Sequence, residues 1–130
     1  MAATKTSLSA GVVIRAVLMA DADVAARVNK IFPVVVDNAE LPYILYRRAK
    51  LSANPQKQGQ PGSDSVEMEV QCYTEKYAEG VELAEAVRAA LDYNAAEHEG
   101  QRLRSCYLID SEEIFMDDAF VQHLVFNIKI

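Results

Sequence analysis

The spacing of apolar residues changes abruptly between positions 65 and 92, and that change restricts the fold more than any other feature of the chain. Positions 65 to 74 read Ser65-Val66-Glu67-Met68-Glu69-Val70-Gln71-Cys72-Tyr73-Thr74. Val66, Met68, Val70 and Cys72 fall on one side of an extended chain, with Glu67, Glu69 and Gln71 on the other. A period of two is what a sheet with one buried and one wet face requires, whereas a helix would scatter those glutamates around its circumference. From 77 to 92 the period lengthens: Gly80, Leu83, Ala84, Val87, Ala90 and Leu91 recur at three- and four-residue steps. Glu79, Glu82, Glu85 and Arg88 fill the remaining arc, so one stripe can lie on the sheet. Early glutamates and a late arginine suit the sign of the helix dipole. Asp92-Tyr93-Asn94 and then Gly100 end the helix.

Two more strands are expected after it. Leu103, Ser105, Tyr107 and Ile109 alternate with Arg102, Arg104 and Cys106, which predicts a strand with the first set on one face. The run can continue through Ile114-Phe115-Met116, and Asp117-Asp118-Ala119 has the short polar character of a hairpin turn. In the last strand Phe120, Gln122, Leu124, Phe126, Ile128 and Ile130 share a face, opposite Val121, His123, Val125, Asn127 and Lys129. Towards the N-terminus, Ser7 or Ser9 can cap a helix reaching about Ala20. That helix is apolar almost all round, with Arg15 its single charge, so it needs cover on most sides, from the sheet and from a neighbouring subunit where the sheet does not reach. Asp21 can cap a short second helix carrying Val24, Val28 and Ile31, and residues 42–48 read as a strand with Pro42 at its tolerant first position. The expected class is α+β: a mainly antiparallel sheet of four to five strands, packed with an N-terminal helix and a central amphipathic helix.

With 130 residues, 51% of them hydrophobic, the chain is expected to form a single domain over 1–130 with a sizeable core. Residues 52–64 interrupt it with two prolines, two glycines and three glutamines and no apolar anchor. Such a stretch is expected to be a mobile loop or an extended hairpin tip. It is either a solvated connector or a partner-contact segment, and the loop's length favours contact. The contact candidates there are Asn54, Gln56, Lys57, Gln58 and Gln60, joined by Arg47 and Arg48.

The charge balance argues against nucleic-acid binding. Thirteen Lys and Arg stand against nineteen Asp and Glu, a formal charge of −6, and grip on a phosphate backbone depends on cationic side chains displacing counterions. Arg47, Arg48 and Lys50 form the densest basic run, but strict alternation would place Arg48 and Lys50 on one face and Arg47 on the other. No membrane span is expected, because the longest apolar window, 11–20, is short and contains Arg15. Lys5 ahead of that window and Ala20-Asp21-Ala22 after it imitate a secretory signal, which Arg15 in the apolar region argues against. Two cysteines, Cys72 and Cys106, are expected as reduced thiols, with a disulfide open to them only if their strands are neighbours.

Chemistry-bearing patterns are scarce. His98, expected in a Glu97-His98-Glu99 turn, and His123, expected mid-strand, lack a second ligand at a metal-binding interval. Asp110, Glu112, Glu113, Asp117 and Asp118 lack the alternating oxygens and central glycine of a calcium loop, so solvated strand ends are the expectation. Gly59 and Gly62 are followed by a strand pattern rather than a helix, no Gly-Lys-Ser/Thr occurs, and there is no Gly-x-Ser-x-Gly elbow. No catalytic residue, metal or cofactor is expected.

The order of elements resembles the tail-terminator, or tail-completion, proteins of long-tailed bacteriophages and prophages. The features that carry the likeness are the N-terminal helix, Leu41-Pro42-Tyr43-Ile44-Leu45-Tyr46, the polar loop, and the 66–73 strand followed by the 77–91 helix. An acidic turn and the terminal Phe126-Asn127-Ile128-Lys129-Ile130 complete it, while residues 31–40 fit the layout loosely. The resemblance implies a non-enzymatic subunit that assembles with itself into a ring, commonly a hexamer, on the last ring of the tail-tube protein. There it would stop tail polymerisation and dock the head-tail connector, with DNA passing through unbound. It implies residence in the host cytoplasm during assembly and then in the virion tail. Two other readings stand beside it. One is a neck subunit of the head-to-tail connector. The other is a small α+β enzyme or ligand-binding domain using Tyr107 and the carboxylates of 110–118.

Overall fold

A computed structural model describes residues 6–35, 37, 39–53 and 64–129. The chain runs through a 3-10 turn (Ser7–Ser9), α1 (Ala10–Ala20), α2 (Ala22–Arg27), β1 (Lys30–Pro33), β2 (Tyr43–Ser52) and β3 (Ser65–Thr74). It continues through α3 (Tyr77–Leu91), β4 (Ala96–His98), β5 (Gln101–Leu103), β6 (Ser105–Met116) and β7 (Ala119–Lys129). Five strands form one sheet in the order β1-β2-β3-β7-β6, antiparallel except for the β1–β2 pair, and β4 and β5 form a separate hairpin. The fold is α+β, as the sequence predicts.

One face of the sheet carries the helices. Val66, Met68, Val70 and Cys72 of β3 are fully buried there beside Leu124, Phe126 and Ile128 of β7. Ala10, Val13, Ile14 and Leu18 of α1, Val24 of α2, and Leu83, Val87 and Leu91 of α3 close over them. Burying each of the larger side chains contributes about 1.5–3 kcal/mol relative to leaving it in water. A smaller cluster on the opposite face joins Leu45, Tyr73, Ala119 and Val121, with Phe32, Leu41, Tyr43 and Ile114 packed against it. Tyr43 and Tyr73 stack within this cluster, 4.7 Å between ring centroids.

Side chains fix the ends of the helices. Asp21 caps α2 by accepting from the Asp23 and Val24 amides at 3.0 Å each. The cap of the N-terminal segment is Thr6 rather than Ser7 or Ser9; its hydroxyl accepts from the Leu8 amide at 3.3 Å, and Ser9 makes no side-chain cap. At the end of α3 the Asn94 amide donates to the carbonyls of Ala89 and Ala90, while Asp92 holds Arg88 at 2.9 Å. The other Asp92 oxygen accepts from the Leu108 amide, which ties the helix end to β6. In the β6–β7 turn Asp117 and Asp118 both have positive φ, 52° and 57°, as a two-residue hairpin turn of matching twist requires.

Several details differ from the sequence expectations. Ile31 belongs to β1, a parallel edge strand, and not to the second helix. Pro42 stands immediately before β2. His98 lies in β4, and the turn beside it is Glu99-Gly100. In β6 the buried face is inverted: Cys106 is buried and Leu108 packs on the core, whereas Tyr107 and Ile109 are exposed. The phase set by Leu103 is lost because β5 ends there and β6 begins at Ser105 in the other sheet. A second irregularity lies between Arg48 and Lys50 of β2. It puts Lys50 opposite Glu67 and Leu51 opposite buried Val66, so Lys50 shares the face of Arg47 and not that of Arg48. Cys72 and Cys106 are free buried thiols on strands that β7 separates, which rules out a bond between them. Ile130 lies outside the described residues.

Candidate assembly surfaces

With most of α1 packed inward, a stripe on its outer side stays uncovered. Leu8, Val12 and Met19 are exposed along it, with Arg15 between them. The sheet, α2, α3 and the β4–β5 hairpin pack on the rest of the helix, so the cover expected on most sides is missing along this stripe. A groove of about 530 Å³ runs between α1, α2 and β1, lined by Arg15, Met19, Val28, Lys30, Ile31 and Phe32 among others. A second depression on the other side of Arg15 and Met19 reaches Val12, Tyr46 and His98.

The far edge of the sheet has a different character. As far as Leu108, β6 is closed by the end of α3, because the Tyr93 amide donates to the Cys106 carbonyl and Asp92 accepts from Leu108. Beyond a register shift between Leu108 and Asp110 the strand stays paired with β7 as far as Met116. Phe115 is 62% exposed and Met116 39% exposed, and both stand among Asp110, Glu112, Glu113, Asp117 and Asp118. Phe115 is held edge-on to Phe120, which is edge-on to Tyr77. The Tyr77 hydroxyl donates to Glu113 at 2.6 Å and the Gln122 amide donates to the same oxygen at 2.8 Å. These two bonds, the Gln122 amide first, hold the Glu113 carboxyl below its ordinary range, and the same contact raises the Tyr77 phenol. Local hydrogen bonding thus keeps this acid ionised and this aromatic group in place.

The contact candidates divide into two sets. Arg47 pairs with Glu69 on the open face of the sheet, where His123 Nε2 also lies 3.4 Å from Glu69. Arg48 donates to the Leu8 carbonyl at 2.8 Å, bracing the start of the N-terminal segment against β2. Both guanidinium groups are exposed yet already have intramolecular partners, and they point to opposite faces. Asn54, Gln56, Lys57, Gln58 and Gln60 lie outside the described residues. Sequence reasoning gave the aromatic-acidic edge no assembly role; the signal available was Phe115-Met116 between acids, an apolar pair where a solvated strand end should be polar.

Among the described residues no three His, Cys, Asp or Glu side chains are grouped to hold a metal ion. None of the described helices is long and apolar enough to cross a membrane. Burial pushes the Cys72 thiol up to about 12, and burial, with Asp92 adding to it, does the same for Cys106.

Residues 12–130 match the profile of the family described as tail completion protein gp17. The chain belongs to that family. Its role is structural tail completion. Two solved structures share the fold of this tail-completion chain. A chain from the virion of a native gene transfer agent particle superimposes with a TM-score of 0.79 at 20% identity, covering 95% of this chain and 98% of that one. The gp17 protein of bacteriophage SPP1 does so with a TM-score of 0.57 at 17% identity, covering 95% of this chain and 88% of that one. No curated protein matches the sequence.

Proposed function

We propose that this tail-completion chain is a tail terminator. Copies of it form a ring, of six subunits in the simplest case, on the last ring of the tail tube. The ring halts tube polymerisation and presents a surface to the head-tail connector. Assembly takes place in the host cytoplasm and the subunit ends in the virion tail. The observation that carries this reading is the family match, which spans nearly the whole chain from 12 to 130. The uncovered edges and the exposed α1 stripe support it physically, because an unpaired edge strand is a ready template for another chain. A net charge of −6 suits a lumen through which DNA slides without specific binding, since a cationic wall would retard it.

In this reading the whole chain works as one domain, and Arg47, Arg48 and the segment with Asn54, Gln56, Lys57, Gln58 and Gln60 contact the tube or the connector. Deleting residues 55–61 should leave the thermal melt close to that of the full chain and abolish docking. Tails assembled with and without the protein test the main claim by electron microscopy. A terminator gives uniform tail lengths and its loss gives overlong tails. Tails of unchanged length that fail only to join heads would assign the chain to the neck instead.

A further inference from the structure

The two outer edges of the sheet are complementary in shape and in charge. At one edge the groove between α1 and β1 has apolar lining from Met19, Val28 and Ile31, and its charged lining residues among those described are Arg15 and Lys30, both cationic. At the other edge Phe115 stands out of β6 between acids, and no Lys or Arg occurs from 105 to 128. The sheet order places these features at opposite ends, β1 outermost on one side and β6 on the other. They are also level with each other. Lys30, Tyr43, Tyr73, Val121 and Ile114 form one cross-strand row, and Phe32, Leu45, Gln71, His123 and Glu112 form another. Five strands at about 4.8 Å spacing separate the edges by about 19 Å. A neighbour displaced across the sheet therefore brings its 112–115 segment to the first copy's 29–32 segment.

We infer that the occupant of the α1–β1 groove is Phe115 of a second copy of this chain, with Glu112 and Asp110 of that copy facing Arg15 and Lys30. This inference rests on the ring reading above and specifies the contact that builds the ring. A protruding apolar group that fits a pocket elsewhere on the same molecule makes a head-to-tail contact, which closes into a ring when the rotation permits. Phe115 is suited to the part because Phe120 and Tyr77 already fix its ring, so little side-chain freedom is lost on docking. Opposite charges around it would set the register and reject the like-charged pairing of two β6 edges.

Three variants of the full chain test the contact. Phe115→Ala removes the protruding ring. A first charge variant carries Asp110→Lys and Glu112→Lys, and a second carries Arg15→Glu and Lys30→Glu. All positions are exposed, and circular-dichroism melts check that each variant folds. Native mass spectrometry then measures self-association in solution and in material recovered from purified tail tubes. Phe115→Ala should weaken association by at least about tenfold, as loss of a central aromatic anchor does. Each charge variant alone should stay monomeric, because the side chains proposed to face each other then carry like charges. Mixing the two should restore assemblies in which they alternate.

Rings of undiminished stability from Phe115→Ala or from either charge variant alone would overturn this contact while leaving the ring reading intact. Folded charge variants that fail to co-assemble on mixing would overturn it as well. A wild-type chain that forms no repeated contact, in solution or on tubes, would instead overturn the ring reading itself and this contact with it.

Discussion

Gly80 faces Thr74 and Gln122 of the sheet, and replacing it tests how tightly α3 is seated. A Cβ added at Gly80 would lie 2.8 Å from the Thr74 hydroxyl and 3.6 Å from Gln122 Cγ. Thr74 cannot easily yield: it is 1% exposed, and its hydroxyl donates to the Lys76 carbonyl at 2.8 Å, just ahead of the helix. Three effects compete in Gly80→Ala. Helix propensity favours alanine by about 1 kcal/mol. Overpacking opposes it by about 1–3 kcal/mol, and giving up the Thr74–Lys76 bond costs about 1 kcal/mol more. The net expectation is destabilisation of about 1–3 kcal/mol. For a chain of 130 residues, where 1 kcal/mol moves the melting temperature about 4 °C, this lowers Tm by about 4–12 °C. Scanning calorimetry of four proteins completes the test: the wild type, Gly80→Ala, Thr74→Ala and the double variant. With the Thr74 oxygen removed, Gly80→Ala should become neutral or stabilising, a coupling of about 2 kcal/mol. A higher Tm for Gly80→Ala in the otherwise unchanged chain, or the same shift in both backgrounds, would refute the reasoning.

Three further outcomes are expected. Asp21→Ala, which removes the acceptor for two amides of α2, should cost about 1 kcal/mol and speed hydrogen exchange at Asp23 and Val24, while Asp21→Asn restores most of it; unchanged exchange would dismiss the cap. Because burial lifts both thiols from 9.0 to about 12, folding favours their protonated form. The thiols' contribution to stability is therefore full below about pH 9 and lost as pH rises towards 12, and a disulfide reagent at pH 8 should label neither cysteine until the chain is denatured. Tyr77→Phe deletes one of the two hydrogen bonds that hold Glu113 low, so the Glu113 midpoint followed by carboxyl-carbon NMR should move up, and an unmoved midpoint would remove Tyr77 from the account.

What the sequence reveals follows from which interactions are local. β3 and α3 were readable because a single register or a single helix face governs each from end to end. The 117–118 turn was readable because two adjacent aspartates tolerate the left-handed backbone a tight hairpin needs. The face of β6 was not, since the chain changes sheets at Arg104 and one extra residue at Ile109 shifts the register again. Ala49 does the same to Lys50. β1 escaped because a four-residue parallel edge strand ending in Pro33 shows no period of its own, and its partner lies a dozen residues away. The candidate surface was legible only in part. The apolar excess on α1 showed that some of that helix would lack cover. Which residues stay bare, and that an acidic aromatic edge stands opposite them, depends on the strand order, and no local pattern encodes that.

That order also ties the subunit's usefulness to its synthesis. β7 is the seventh strand to be made, yet it lies between β3 and β6 and supplies Leu124, Phe126 and Ile128 to the core. Until the ribosome has released it, β6 has no strand beside it and β3 lacks its inner neighbour. A nascent chain that has not yet released β7 therefore has neither a paired β6 nor a closed core.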